Sequence, residues 1–332
     1  MLSGRILPAH PQPQDDELFS SWLVRAAKAN GQKLHPFCKM LFGDVQIWTR
    51  DIDRSVKLDI VQKLAAKLGT SPTRAVETTL STFDGRLFNR YGANSFTPWI
   101  LPMGIYHRTH RRYGLQYCPA CLANDVIPYF RRTWRLALFP ICIEHGLVLS
   151  DRCPVCGAAV MFHRRDFFDR NAADPQPFTA CYRCGADITK SQILLADQGV
   201  INFLIEAQAV LCRGWVEIGD WGNVWSFRYF DVVRHLMKLV SINKACSIRL
   251  SRIGLSAYAG RLAPNQGIEY LNANSRHAAL RVVAWLMQDW PNRFVTACEL
   301  AHLSSAYLTR DFKDAPWWYI GPVRQFFFGG RY

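Results

Sequence analysis

Eight residues of the kinds that bind zinc fall in order between positions 118 and 184, and no other feature narrows so far what this chain can fold into. They form four pairs, Cys118/Cys121, Cys142/His145, Cys153/Cys156 and Cys181/Cys184, each with two residues between its members. One tight turn with that spacing presents two side chains to a single ion, and four such turns complete two tetrahedral shells with no ligand left over. Closed shells of three cysteines and one histidine, or of four cysteines, describe structural zinc, because a catalytic ion keeps a place open for water. Gly146, Gly157 and Gly185 follow three of the pairs, where the turn calls for positive φ. Two structural Zn2+ ions are therefore the expected cofactors.

Disulfides are the competing reading of so many thiols. Residues 1–14 carry Pro8, Pro11 and Pro13 instead of an apolar signal segment. No run of about 20 apolar residues is present to span a bilayer. A cytoplasmic bacterial protein that works at the nucleoid is expected, and thiols stay reduced there. Cys38, Cys212, Cys246 and Cys298 complete the eleven cysteines and read as buried small apolar residues. Ligand pairing has two solutions. Consecutive pairing places Cys118, Cys121, Cys142 and His145 on one ion and Cys153, Cys156, Cys181 and Cys184 on the other. Interleaved pairing, as in RING domains, uses the same ligand order. Seven residues separate His145 from Cys153, long for a RING, and the two Cys-x-x-Cys-Gly segments look like the knuckles of one ribbon. Consecutive pairing is the expectation.

The formal net charge is +14, which calls for an anionic partner, with nucleic acid the commonest. Residues 101–170 hold ten Arg, no Lys and five acids. Arginine forks match phosphate oxygens and stack on flat rings. The candidate nucleic-acid contacts are Arg108, Arg111, Arg112, Arg131, Arg132, Arg135, Arg164 and Arg165, with Arg74 outside the cluster. Tyr106, Tyr113, Tyr129, Phe130 and Trp134 lie among them; taken singly, such rings more often fill the core of a zinc module.

Hydrophobic residues make up 49% of the chain, enough for real cores. A helix is expected from Asp15 to about Ala27, with acids at its positive end and Leu18, Trp22, Leu23 and Ala26 on one face. A second is expected near 34–42, stopping at Gly43. Residues 56–82 have helix-turn-helix character, with Val61, Leu64, Ala65 and Leu68 inward, Gly69 at the turn, Ser71 as cap, Pro72 at the first position, and a second helix to about 82. An ordinary helical hairpin fits the same pattern. Further helices are expected over 199–214, 228–241 and 275–290, a second helix-turn-helix candidate over 292–312, and an aromatic tail packed on its own domain. The expected architecture is mainly α with small zinc-ribbon modules. It comprises an N-terminal helix-turn-helix-like domain over 1–115, a tandem zinc module over 116–190 and a C-terminal helical domain over 191–332.

No Walker A, H-E-x-x-H or G-x-S-x-G pattern occurs, and His107 and His110 lack a catalytic partner set, so an enzyme is not expected. Three segments together resemble the TniQ/TnsD family of transposition proteins. They are Asp16-Glu17-Leu18-Phe19-Ser20-Ser21-Trp22-Leu23-Val24-Arg25; Tyr117-Cys118-Pro119-Ala120-Cys121; and Trp134-Arg135 followed by Pro140-Ile141-Cys142-Ile143-Glu144-His145-Gly146 and Cys153-Pro154-Val155-Cys156-Gly157. The resemblance covers about 15–190. It implies a non-enzymatic target-selection adaptor of Tn7-like transposition. Such an adaptor links target DNA, or a CRISPR effector complex that finds it, to an AAA+ ATPase regulator. It implies that the four pairs are the family's zinc ligands, and that a homodimer is a state some members adopt. The chain is shorter than typical TnsD members, which points to an adaptor more than to autonomous site recognition. A free-standing zinc-ribbon and helix-turn-helix regulator is the alternative, and a RING-type ligase leaves the N-terminal signature unexplained.

Overall fold

Glu17 and Arg25 set the position of the first helix. In the computed structural model, which describes residues 6–93, 95–106, 109–164, 177–260, 262–263 and 266–328, helix α1 runs Phe19–Ala29. Every residue from Phe19 to Ala27 is buried, polar Ser20, Ser21 and Arg25 included, and only Lys28 and Ala29 at its end reach solvent. A buried charge needs a partner, and Arg25 has one: its Nε and Nη2 donate to the Glu17 carboxylate at 2.7 and 2.6 Å. Ser21 Oγ donates to the same carboxylate at 2.8 Å. The helix therefore begins four residues later than its acids suggested. Asp16 takes positive φ of 56° and no acid lies in the first turn, so the dipole argument does not apply here.

Helix α2 (Leu34–Phe42) stops at Gly43 as expected. After α3 (Ile52–Ser55), α4 (Leu58–Leu68) buries Ile60, Val61, Leu64, Ala65 and Leu68. Gly69 ends it with left-handed φ of 61°, and Ser71 Oγ accepts from the Arg74 amide at 3.2 Å. Helix α5, however, is only Pro72–Val76. Thr78 and Thr79 turn their hydroxyls back onto the carbonyls of Ala75 and Val76, and a 3-10 turn follows over Leu80–Phe83. Such side-chain bonds compete with helix continuation, so the expected helix to 82 breaks after five residues. Helix α6 (Pro119–Asn124) is followed by α7 (Gln198–Arg213), α8 (Ser226–Ser241), α9 (Lys244–Ser251) and α10 (Ala273–Met287). The last three are α11 (Asn292–Leu300), α12 (Ser305–Thr309) and α13 (Trp317–Phe328). The chain is thus mainly helical among the described residues. Its strands form three antiparallel pairs, β1–β2 (Ile105–Tyr106, Thr109–His110), β3–β4 (Ile141–Cys142, Leu147–Val148) and β5–β6 (Trp215–Glu217, Asn223–Trp225). No described helix is long and apolar enough to cross a membrane.

Hydrogen bonds cross the boundary expected near 115. Leu18 N donates to Phe130 O at 2.8 Å, and Phe130 N to Ser21 Oγ at 3.0 Å. Leu101 N donates to Arg135 O at 2.9 Å. A second seam joins the C-terminal helices. Glu269 accepts from the Trp99 amide at 2.9 Å and from Arg234 Nε at 2.6 Å, and Arg276 Nη2 donates to Gln116 Oε1 at 2.6 Å. In the tail, Trp318 and Tyr319 are buried against Trp290 and Phe294, whereas Trp317 is exposed. Cys38, Cys246 and Cys298 are buried as expected, but Cys212 faces outward near the end of α7.

His235 on α8 carries a pH consequence. Its Nε2–H donates to Leu308 O at 2.8 Å and its ring stacks on Phe312. Burial lowers its pKa from 6.5 to about 4. Below pH 6.5 the unfolded chain takes up a proton that the folded chain refuses, so stability falls as pH drops from there toward 4. By pH 5 this group costs about 2 kcal/mol. In urea unfolding at pH 7 and pH 5, His235→Gln should narrow the difference by about that amount.

Candidate metal centres and the arginine-rich surface

Cys118 caps α6: its Sγ accepts from the Cys121 amide at 3.5 Å, and Pro119 occupies the first helical position. The helix turn brings Cys121 onto the same side as Cys118. The β3–β4 hairpin supplies the opposite pair, with Cys142 at the end of β3 and His145 in the turn closed by Gly146 at φ of 61°. Cys121 Sγ lies 3.5 Å from Cys142 Sγ and 3.3 Å from His145 Nδ1. Cys142 and Cys118 lie 3.6 and 3.8 Å from the same nitrogen. A tetrahedron with metal–sulfur bonds of about 2.3 Å has edges of about 3.8 Å, so the spacing fits one zinc ion. Nδ1 is the nitrogen aimed inward; Nε2 lies 3.4 Å from the Asn124 side-chain amide, a second contact able to fix the ring.

The second cluster is built from two equivalent knuckles. Gly157 N donates to Cys153 O and Gly185 N to Cys181 O, both at 3.0 Å, with Gly157 and Gly185 at φ of 67° and 76°. Cys153 Sγ sits 3.6 Å from Cys184 Sγ, and Cys156 Sγ 3.7 Å from Cys181 Sγ. Within each cluster all four ligand atoms lie within 4.8 Å of one another. The pairing is consecutive, and the interleaved RING arrangement is excluded for these side chains. The clusters could hold two zinc ions. The first cluster's thiols also divide their charge unevenly. Hydrogen bonds from Cys118 and Cys121 lower the Cys142 thiol below its usual range, while the bonds of Cys121 to Cys118 and Cys142 push the Cys121 thiol up. Such crowded donors shed their protons together only around a cation.

The arginines separate into two groups. Arg135 is fully buried, its Nη2 at 2.6 Å from Asp51 and its Nη1 at 3.2 Å from Asp53. Ser20 donates to Asp53 from the other side through N and Oγ, both at 2.9 Å. Burial raises the Asp53 carboxyl above its usual range, and Arg135 beside it pulls the other way. Arg131 forks onto Asp125 at 3.0 and 3.1 Å. Arg132 reaches Asp16 at 3.1 Å and Thr82 at 2.7 Å. Arg74 pairs with Asp15 and Glu77. The expectation of phosphate contact is therefore corrected for Arg135, whose fork is consumed inside the core. Arg131 and Arg132 are likewise mostly covered and paired. Arg164 ends a 3-10 turn at Phe162–Arg164 and is half-buried. Arg111 is exposed, and the Arg112 guanidinium lies 4.4 Å over the Tyr270 ring. Arg108, Arg165 and His107 lie outside the described residues. Phe130 and Trp134 are core residues, Phe130 stacking on Phe162 at 4.4 Å between centroids. His110 is partly covered, and burial lowers it to about 4.

Arg152, one of the ten arginines of 101–170 but not among the candidate contacts, holds its guanidinium 3.9 Å over Tyr113; it stands apart from the paired arginines in sequence. Tyr270 was missed because nothing local ties it to residue 112.

Two variants test this division. Arg135→Ala strands Asp51 and Asp53 and should cost about 3–5 kcal/mol in denaturant unfolding. Cys121→Ser should reduce bound zinc from about two equivalents to about one by elemental analysis and lower the melting temperature. Its effect should exceed that of Cys184→Ser, because Cys121 is buried and Cys184 is exposed.

Residues 8–149 match the family model described as TniQ. The matched span contains the Glu17–Arg25 pair, the Asp51–Asp53–Arg135 group and the whole first cluster, and it ends before the second. No curated protein matches the chain.

Proposed function

We infer, from the TniQ domain that residues 8–149 form, that this TniQ-family transposition protein is a non-enzymatic target-selection adaptor. Family membership suggests this role in Tn7-like transposition. The finer reading is that the chain links target DNA, or a CRISPR effector complex already on its target, to an AAA+ ATPase regulator. The family match carries the proposal, and three physical features support it. The two Cys/His clusters are closed donor sets, suited to holding a shape and not to activating water. Net charge of +14 suits association with a polyanion. The α4–α5 pair ends in a helix of five residues whose exposed arginine is tied to Asp15 and Glu77. A free-standing regulator that reads bases needs a longer helix in the major groove. That favours the adaptor over the regulator.

The test is a pull-down of the tagged chain from cells expressing its genomic neighbours, with zinc measured on the same sample. Recovery of an AAA+ ATPase supports the adaptor, and co-purifying CRISPR subunits would name the targeting route. Retention of DNA with no ATPase would transfer the weight to the regulator.

A further inference from the structure

Residues 111–113 and 270–272 line a cleft of about 310 Å3 in company with Asp151 and Arg152. Through Asp151, Arg152 and Asn272 it continues into a second cleft of about 510 Å3, which Gln192 and Asn274 also line. Two of its arginines are held flat on tyrosines: Arg152 at 3.9 Å over Tyr113, Arg112 at 4.4 Å over Tyr270. Stacking fixes a guanidinium plane while leaving its N–H edge for a ligand. Arg152 spends two of its donors on Asp151, at 2.7 and 3.4 Å, which leaves three of five. Arg112 makes no side-chain hydrogen bond among the described residues. Arg112 in this respect contrasts with Arg131 and Arg135, whose forks close on carboxylates.

The acids of the cleft offset only part of this charge, Asp151 being the partner of Arg152. The Glu269 side chain has no exposure and is paired with Arg234. Asp151 is largely covered and already engaged by Arg152. Exposed Arg111 adds a third cation to Arg112 and Arg152. At the far end, the second cleft is lined by Asn272, Ala273 and Asn274, the start of the 15-residue helix α10. Asn272 Oδ1 caps it by accepting from Ser275 N at 2.8 Å. A helix start presents its dipole's positive end, which suits phosphate.

We propose that the double cleft is a nucleic-acid site in which a phosphodiester backbone runs from Arg111 and Arg112 past Arg152 toward the start of α10. One face of each tyrosine carries an arginine, and the cations along the cleft suit backbone oxygens, contacts that position a strand and carry no sequence information. The inference rests on the adaptor reading only in needing an affinity for nucleic acid.

Fluorescence anisotropy across a salt series tests it, with the full chain and two probes of about 30 units, a duplex DNA and a single-stranded RNA. Arg112→Ala with Arg152→Ala should weaken binding at least about tenfold near 100 mM salt and make the log–log salt slope shallower by about 2. Whichever probe shows that change names the strand. Lys39→Ala with Lys63→Ala, matched in charge and placed on α2 and α4 away from the cleft, should leave both quantities nearly unchanged. Arg112→Lys with Arg152→Lys should keep the slope and still bind about threefold more weakly, since lysine neither stacks flat nor forks. That pair carries the test if the alanine pair loses its melting transition, and wild-type affinity in the lysine pair would then overturn the proposal. An alanine pair with wild-type slope and affinity and unchanged zinc content overturns the cleft while the adaptor reading stands. A wild-type chain that binds neither probe overturns the cleft together with the DNA half of that reading.

Discussion

The fork of Arg135 between Asp51 and Asp53 is the contact on which the matched region turns. Asp53 takes two bonds from Ser20 on α1 and one from Arg135 beyond the first zinc-type pair. One carboxylate thus joins the N-terminal signature to the zinc-bearing segment. The arrangement has a physical cost, because each ion is out of water and only a complete set of partners offsets its desolvation. The chain supplies most of that set: Asp51, Asp53 and Leu101 O take the Nη1 and Nη2 donors of Arg135, and its buried Nε is left without a partner. Arg25, Ser21 and Glu17 repeat the same solution at the next residue of α1, Ser21 beside Ser20. Residues that looked like a family signature are therefore mutual partners in a buried polar lattice.

Local features were legible in the sequence to the extent that their causes were local. Gly43 and Gly69 ended their helices, Ser71 capped its own, and the Cys-x-x-Cys-Gly turns placed the ligands. The pairing of those turns followed from their order and spacing as well. What escaped was set at long range. Asp15 and Asp16 looked like first-turn acids of α1, yet Asp16 turns away to reach Arg132 and Thr133, more than a hundred residues on. Helix α5 looked longer because Thr78 and Thr79 carry no sequence mark of folding back. The arginine cluster was visible as charge, but its division into core and surface depended on acids at 16, 51, 53 and 125. No periodicity or spacing connects those positions to residues 131–135.

That division also explains how so basic a chain keeps an ordered interior. Arginine serves here in two chemically distinct ways. In one, both edges of the plane face carboxylates, and the charge is neutralised where the protein is dense. In the other, the flat faces of Arg112 and Arg152 rest on tyrosine rings; Arg112 makes no side-chain hydrogen bond among the described residues, and Arg152 gives only its Nε and Nη2 to Asp151. The first use demands burial and fixed partners; the second demands exposure and only a planar support. Tyrosine provides that support without adding a charge to compete.

The bonds between α1 and the segment around Phe130 have a temporal side. Leu18 and Phe130 stand 112 positions apart, and Ser21 and Phe130 are separated by 109. At ordinary translation speeds of about 5–20 residues per second, the ribosome needs roughly 6–22 s to make the partner that α1 requires. During that interval a helix whose first nine residues are all buried in the finished fold is without its cover.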